Sequence, residues 1–592
     1  MNRIHSDLAP LLLKKERANG DIHPAVLTDV LRDGKPANAR RKQLVAMIEQ
    51  HPVLSDRDMM FRNHTERYTF GLKKVSHFVQ FQKDRNIVDR DEQDIMYDTL
   101  GEPLGIDVHN SMFGIETVAT YDKATQEFVI DSPTLTSRKW WPGGLGKTAN
   151  HAIVHARLFL DGEDVGVQAF LVQIRSMEDH EPLPGIEVGD IGPKVGFNGV
   201  DNGYCAFHKI RIPRENMMMR YAKVLPNGTF VKPKSDKLVY LTMVQIRARL
   251  VESFALTMAK ATTITTRFSS ARIQGRTLNN KGEFQVLDYQ NQQHKLFPFI
   301  AISYAAKFAA RDIMARHNAA VGIVKSGNAG FGAKLAALHA VSSGLKAWLA
   351  ERVSDGIESC RRLCGGHGFT HNTLDTLAGA KTLDDSEPAT RFLSKIKLFA
   401  DPKLRCSGQT PEAFGDLNLL VEAFEVRATR ILLALARQMK ARKNDGSACM
   451  VLMSRVSNAH AELILLEALA NGISTIPTGP EQRSVAQLCS LFGVWLITNS
   501  IGDFRQHDYL SSSQVDLVRE QVVRLLPIIR KNCVLLTDAW DFSDFELNST
   551  IGRYDGDMYR ALVRRAADEP LNKTQVTEGY EKYLKPLIQS DL

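Results

Sequence analysis

A chain of 592 residues is too long for one hydrophobic core and is expected to divide into three or four domains. Its 44% apolar and 24% charged residues are ordinary for a soluble globular protein. The formal charge of +8, from 75 basic and 67 acidic side chains, is scattered, with no basic block longer than Arg40-Arg41-Lys42, which favours a small anionic ligand, or no polyanion at all, over nucleic acid.

Residues 1 to about 110 read as short charged helices, among them ANARRKQLVAMIEQHPVL, in which Leu44, Met47 and Ile48 share a face. The opening MNRIHSDLAPLLLKKERANGD holds no secretory apolar core, and no later run approaches a membrane span, so an intracellular soluble protein is expected. From Thr117 to about Pro213 the period changes to two. TVATYD, EFVIDS, AIVHARLFLDG, VGVQAFLVQIR, IEVGDIG and YCAFHKIRIP read as the strands of a compact β-domain.

Within that domain the segment TSRKWWPGGLGKTAN, residues 136–150, joins two alternating runs. Trp140 and Trp141 offer wide apolar faces, and Gly143, Gly144 and Gly146 let a backbone approach something flat or phosphorylated. The plainer alternative is a glycine-rich hairpin with a tryptophan plugging the sheet.

From Leu238 the chain turns helical again, beginning with one long amphipathic run that ends RFSSARIQG. In the third long helix Leu335, Leu338, Val341, Leu345 and Leu349 form one stripe, the mark of a core. After Pro402 and Pro411 further helices with short polar connections suggest an up-and-down bundle. The order α, β, α, α excludes a Rossmann fold, and no G-x-G-x-x-G follows a strand. Cys205, Cys360, Cys364, Cys406, Cys449, Cys489 and Cys533 show no C-x-x-C pair and no metal-ligand spacing. Reduced thiols and no metal site are expected, with Cys360 and Cys364 packing on one helix face.

KWWPGGLGK, HEPLPGIEVGDIGPKVGFNGVDNG, IRIPRENMMMRYAKV, LCGGHGF and STIGRYDGDMY with PLNK together resemble the peroxisomal acyl-CoA oxidases, relatives of the acyl-CoA dehydrogenases. The resemblance runs through nearly the whole chain. It implies an α+β, mainly α, acyl-CoA dehydrogenase-like fold: an N-terminal helical domain (1–113), a middle β-domain (114–232), a helical flavin-contacting domain (233–405) and a C-terminal helical domain (406–592). It further implies FAD, a homodimer, and acyl-CoA and dioxygen as reactants, giving a 2-trans double bond and hydrogen peroxide. No nucleic acid and no membrane span are part of that picture.

Residue by residue, the resemblance places Gly143 beside the flavin, flanked by Gly144 and Trp141. It places Arg272 on a flavin pyrophosphate, that of the neighbouring subunit, where the guanidinium fork suits phosphate oxygens; a solvated helix arginine is the alternative. Ile273 stands where the family commonly has a basic residue. Gly365 and Gly366, with Gly368, resemble a turn offering backbone donors to the dinucleotide, although pattern alone gives only a helix C-cap after Cys364. His367 is either a donor or a filler of that turn.

Two family segments have no counterpart. Between Phe113 and Gly114 members carry an insert whose threonine contacts the flavin. After CGGHGF they carry the glutamate that serves as catalytic base. No catalytic residue is therefore assigned. Asp384, Asp385 and Glu387 are the nearby carboxylates, and a polar solvated loop is the plainer account of them. The terminal Ser590-Asp591-Leu592 resembles a weak form of the peroxisomal address. Rival readings are a non-catalytic paralogue, an incomplete gene model, and a dehydrogenase handing electrons to a carrier protein. The long C-terminal helical part argues against the last.

Overall fold

The computed structural model describes residues 5–56, 62–100, 110–112, 116–194, 196, 198–220, 222–232, 241–276, 283–326, 331–369, 395–443, 445–568, 570–574, 576 and 579–586. Its helices are α1 (His5–Asn19), α2 (Pro24–Leu31), α3 (Lys35–Glu49), α4 (His64–Asp84), α5 (Arg90–Thr99), α6 (Leu241–Ala271), α7 (Gln290–Ser326), α8 (Phe331–Leu363), α9 (Ile396–Phe399), α10 (Leu417–Ala441), α11 (Met450–Ile473), α12 (Pro480–Asn499), α13 (Ile501–Phe504), α14 (Ser512–Asp538), α15 (Asp544–Leu547) and α16 (Met558–Ala567). The strands are β1 (Asn110–Met112), β2 (Val118–Asp122), β3 (Glu127–Asp131), β4 (Lys139–Trp140), β5 (His151–Leu160), β6 (Glu163–Gln173), β7 (Ile186–Asp190), β8 (Gly203–Phe207), β9 (Ile210–Pro213), β10 (Lys223–Val224), β11 (Phe230–Val231), β12 (Ile273–Arg276) and β13 (Glu283–Gln285). These elements fall into two units: residues 40–240, and residues 1–39 with 241–592.

The strand-rich unit is organised by β5. Its strict alternation buries Ala152, Val154, Ala156, Leu158 and Leu160 on one face, as period two dictates. β6 pairs antiparallel along one edge of β5. β1 and β2 run parallel, end to end, along the other, with Met112 opposite Val154 and Val118 opposite Arg157. β3 and β9 complete this sheet beyond β2, and Phe128 and Phe170 meet edge to face in its core at 5.0 Å.

Two sequence expectations change here. The 136–150 segment is not a hairpin, because β3 pairs with β2 and β9 while β5 pairs with β1, β2 and β6. The chain leaves the large sheet instead: β4 pairs with β8 in a three-stranded sheet ordered β4-β8-β7. YCAFHKIRIP is likewise two strands rather than one. β8 belongs to the small sheet and β9 to the large one, divided where Lys209 takes a left-handed φ of 51°.

In the helical unit α6, α7 and α8 pack against one another, and α1 packs on α6 and α14. Leu338, Val341, Leu345 and Leu349 of the expected stripe are buried in this core. The long run read as one helix to Gly275 stops at Ala271. Residues 273–276 form β12, paired with β13, and Gly275 at φ 85° lies where a Cβ would strike the Tyr289 hydroxyl.

Neighbouring helices α10, α11 and α12 pack in succession, and α12 packs on α14. One stretch, Ser447–Ile473, is by length and composition apolar enough to cross a membrane, contrary to the expectation that no run approaches a span. Its packing explains the composition: α11 meets α7, α8, α10 and α12, and buries Leu463, Leu465, Leu466 and Leu469. All seven cysteines are buried and unpaired, with Cys360 and Cys364 in the helical core as read; burial pushes both thiols up to about 12.

Candidate functional site

The strand-rich unit holds the glycine loop after β4 in a rigid frame. Asp201, almost fully buried, accepts from the backbone N–H of Lys147 at 2.6 Å and of Thr148 at 2.8 Å, and from the Thr148 hydroxyl at 3.0 Å. Three donors converge on one carboxylate and fix the far end of the loop. At its near end Lys139 buries its ammonium and donates to the His155 carbonyl at 3.0 Å. Burial lowers the Lys139 ammonium to about 8 and the His155 imidazole to about 4.

Trp141 has φ 87°, rare for a side chain of that size. Its N–H donates to Gly203 O at 3.0 Å and its carbonyl accepts from Asn202 Nδ2 at 2.7 Å. A Cβ on Gly203 would collide with Gly146, so the small sheet and the loop touch backbone to backbone. Gly144 has φ 68°, and its carbonyl accepts from both Thr148 and Ala149.

The tryptophans do not plug the sheet: Trp140 and Trp141 are each 55% exposed, and Trp140 lies over Tyr204 with 23° between the rings. Gly143 is different from Gly203. A Cβ there would only reach ordinary contact with Val200, at 3.4 Å, so nothing among the described residues of this unit demands a glycine. A group approaching from outside the chain would. Beside it, Asn202 Oδ1 is buried and accepts no hydrogen bond from the described residues.

The helical unit contains a cavity of about 670 Å³ at the end of α6, between β12, the start of α7 and the end of α8. It brings together Arg272, Gly365 and Gly366, three of the residues singled out from sequence, with Lys295, Arg362 and His367. No acidic residue is among the described residues that line it. Gly365 takes φ 59° and caps α8, and no described residue comes within 4 Å of where a Cβ on Gly365 or Gly366 would lie. Gly368 is sterically obligatory, since a Cβ would strike the Arg361 carbonyl.

The charges are unequally compensated. Arg362 and Arg361 both donate to Glu358, which holds that carboxyl down at about 2. Among the described residues the Arg272 side chain donates only to the Tyr559 hydroxyl, at 2.8 Å, and Lys295 has no partner. His367, beside Phe268, is kept below its usual pKa by burial and then by Arg272, and so stays neutral near pH 7. Two cations with no acidic partner among the described residues, the glycine backbone and the first turn of α7 make a wall suited to phosphate.

Sequence reasoning missed Lys295, Arg362 and Tyr559. Tyr559 lies in the quoted GDMY motif but carried no chemical signal of its own. Asp384, Asp385 and Glu387, the Phe113–Gly114 junction and residues 590–592 lie outside the described residues.

Family models described as acyl-CoA oxidase N-terminal, acyl-CoA oxidase C-alpha1 domain and acyl-CoA oxidase match residues 23–121, 240–380 and 416–589. The chain is 36% identical to peroxisomal acyl-coenzyme A oxidase 1 of Rattus norvegicus, over 97% of this chain and 99% of the relative. The human protein of the same name is 35% identical at the same coverage. The rat alignment runs to 662 positions against 592 residues here, so the relative has segments without a counterpart. Arabidopsis thaliana acyl-CoA oxidase 1 superposes with a TM-score of 0.91 at 28% identity, over 98% of this chain and 99% of the other. Acyl-CoA oxidase-1 of Caenorhabditis elegans, solved with FAD and ATP, gives 0.85 at 29% identity and 98% coverage of both.

Proposed function

The chain belongs to the acyl-CoA oxidase family, and from that premise we propose how its residues divide the work. It is an FAD-dependent oxidoreductase of peroxisomal fatty acid oxidation, acting on acyl-CoA with dioxygen. FAD, when bound, supplies the acceptor for hydride from the β-carbon and passes the electrons to dioxygen, giving hydrogen peroxide. The residues present fit that group. The observation that carries the reading is the cavity gathering Arg272, Lys295, Gly365 and Gly366 with no acidic side chain among the described residues that line it.

Arg272 and Lys295 would hold the phosphates, and the Gly365-Gly366 turn would present its backbone to them. In the strand-rich unit Gly143 and Gly144 would admit the flat ring, and the Asn202 carbonyl would accept from it. Proton removal from the α-carbon requires a carboxylate in a dry site. Its identity stays unassigned, since the candidate carboxylates lie outside the described residues. The four-part division at 113, 232 and 405 and assembly as a homodimer belong to the same proposal.

The test is to purify the chain with FAD, measure its mass by light scattering, and follow peroxide after adding palmitoyl-CoA. A yellow dimer producing peroxide is expected. A yellow protein without peroxide would leave only a binding shell, and a protein that takes up no flavin would overturn the reading of the cavity. For import, Ser590-Asp591-Leu592 is the proposed address. Deleting it from a full-chain fusion tagged at the N-terminus is expected to lower peroxisomal accumulation, and unchanged import would assign targeting elsewhere.

A further inference from the structure

We propose that Tyr559 is a positioning residue for cofactor binding: its phenol oxygen aims the Arg272 guanidinium at the anionic part of the cofactor without neutralising it. The inference rests on the reading of the cavity as the phosphate-binding part of the FAD site.

Arg272 follows the last residue of α6, and its backbone is held on both sides. Its N–H donates to Phe268 O at 2.8 Å, and its carbonyl accepts from Val286 N–H at 2.8 Å. The only freedom left is in the long side chain, whose rotamers must be restricted if it is to meet a phosphate at low entropic cost. Arg272 Nη1 donates to Tyr559 Oη at 2.8 Å, its one side-chain hydrogen bond among the described residues. Tyr559 does not line the cavity, so it acts through the arginine rather than on the ligand.

The chemistry of the partner matters as much as its position. Elsewhere in this unit arginines are held by carboxylates: Arg267 by Asp538, and Arg361 and Arg362 by Glu358. A carboxylate beside Arg272 would fix it equally well but cancel the charge that a phosphate needs. A phenol near neutral pH accepts a hydrogen bond and carries no charge. Tyr559 is itself anchored, because Met558 and Ala561 on either side of it in α16 are buried in the helical unit.

The test is titration of the apoprotein with FAD, followed by flavin fluorescence, with the thermal midpoint as a control on folding. Tyr559→Phe is expected to weaken FAD about 3- to 10-fold, the range of one net hydrogen bond. The same change made in an Arg272→Gln background is expected to do nothing further. Tyr559→His, which keeps an acceptor atom, is expected to retain more affinity than Tyr559→Phe. Unchanged affinity in Tyr559→Phe, or an equal loss in the Arg272→Gln background, would overturn the proposal while leaving the cavity as the FAD site. Wild-type protein with no affinity for FAD would overturn the reading on which it rests.

Discussion

Arg272→Gln should weaken FAD binding by about 10- to 100-fold, the equivalent of losing a charge-assisted hydrogen bond worth roughly 1.5–3 kcal/mol. The argument is electrostatic. Of the cations around the cavity, Arg362 is committed to Glu358, which leaves Arg272 and Lys295 to meet the phosphates. Glutamine keeps much of the side-chain length but is too short to reach Tyr559 as Nη1 does, so the substitution removes the charge, the planar fork and the Tyr559 hydrogen bond while sparing the packing. Arg272→Lys should recover part of the affinity through its charge, but without bidentate geometry. Raising the salt concentration should narrow the gap between wild type and Arg272→Gln, because part of the lost energy is screened. A dissociation constant for FAD unaltered by Arg272→Gln would show that the phosphates bind elsewhere.

Asp538→Ala should destabilise the helical unit by about 3–5 kcal/mol, the typical result of stranding one member of a buried ion pair. Arg267 is 1% exposed and donates through Nε and Nη2 to Asp538 Oδ1 at 3.0 and 2.9 Å, while its Nη1 reaches the Gly552 carbonyl at 3.0 Å. Arg17 on α1 donates to the other carboxylate oxygen at 2.7 Å. One carboxylate therefore joins α1, α6 and α14, and its loss leaves the Arg267 guanidinium in the core with the Gly552 carbonyl and, at 3.8 Å, the half-buried Asp544 carboxylate. Adding Arg267→Met to Asp538→Ala should restore much of the stability, since the poorly compensated charge is then gone. The readout is urea unfolding followed by tryptophan fluorescence. Equal midpoints for Asp538→Ala and wild type would mean that water reaches Arg267 and that the network contributes little.

How far the candidate sites were legible in the sequence differs between the two units. Arg272 and the Gly365-Gly366 turn are separated by more than ninety positions, and only their resemblance to a family linked them. The fold explains the link, because the end of α6 and the end of α8 open on one cavity. Lys295 gave no signal, being one more lysine at the start of a helix until the cavity showed it unpaired. The glycines after β4 illustrate a different limit. Gly143, Gly144, Gly146 and Gly203 look alike as letters, yet Gly203 is required by the Gly146 backbone, Gly144 by its positive φ, and Gly143 by nothing among the described residues of its unit. That difference is one of three-dimensional neighbours and has no local signature.

What the sequence by itself determined is everything that depends on short-range periodicity. The alternation of His151–Leu160 made a half-buried strand, the stripe Leu338–Leu349 made a core face, and sparse cysteines remained unpaired. Tertiary structure alone decided which strands share a sheet, where β4 and β8 leave the large sheet, and which arginines keep a usable charge. The physical reason is the range of the interactions. Side-chain period is set by backbone geometry over a few residues, whereas hydrogen-bond register and charge compensation are settled between groups hundreds of positions apart, as Arg272 and Tyr559 are.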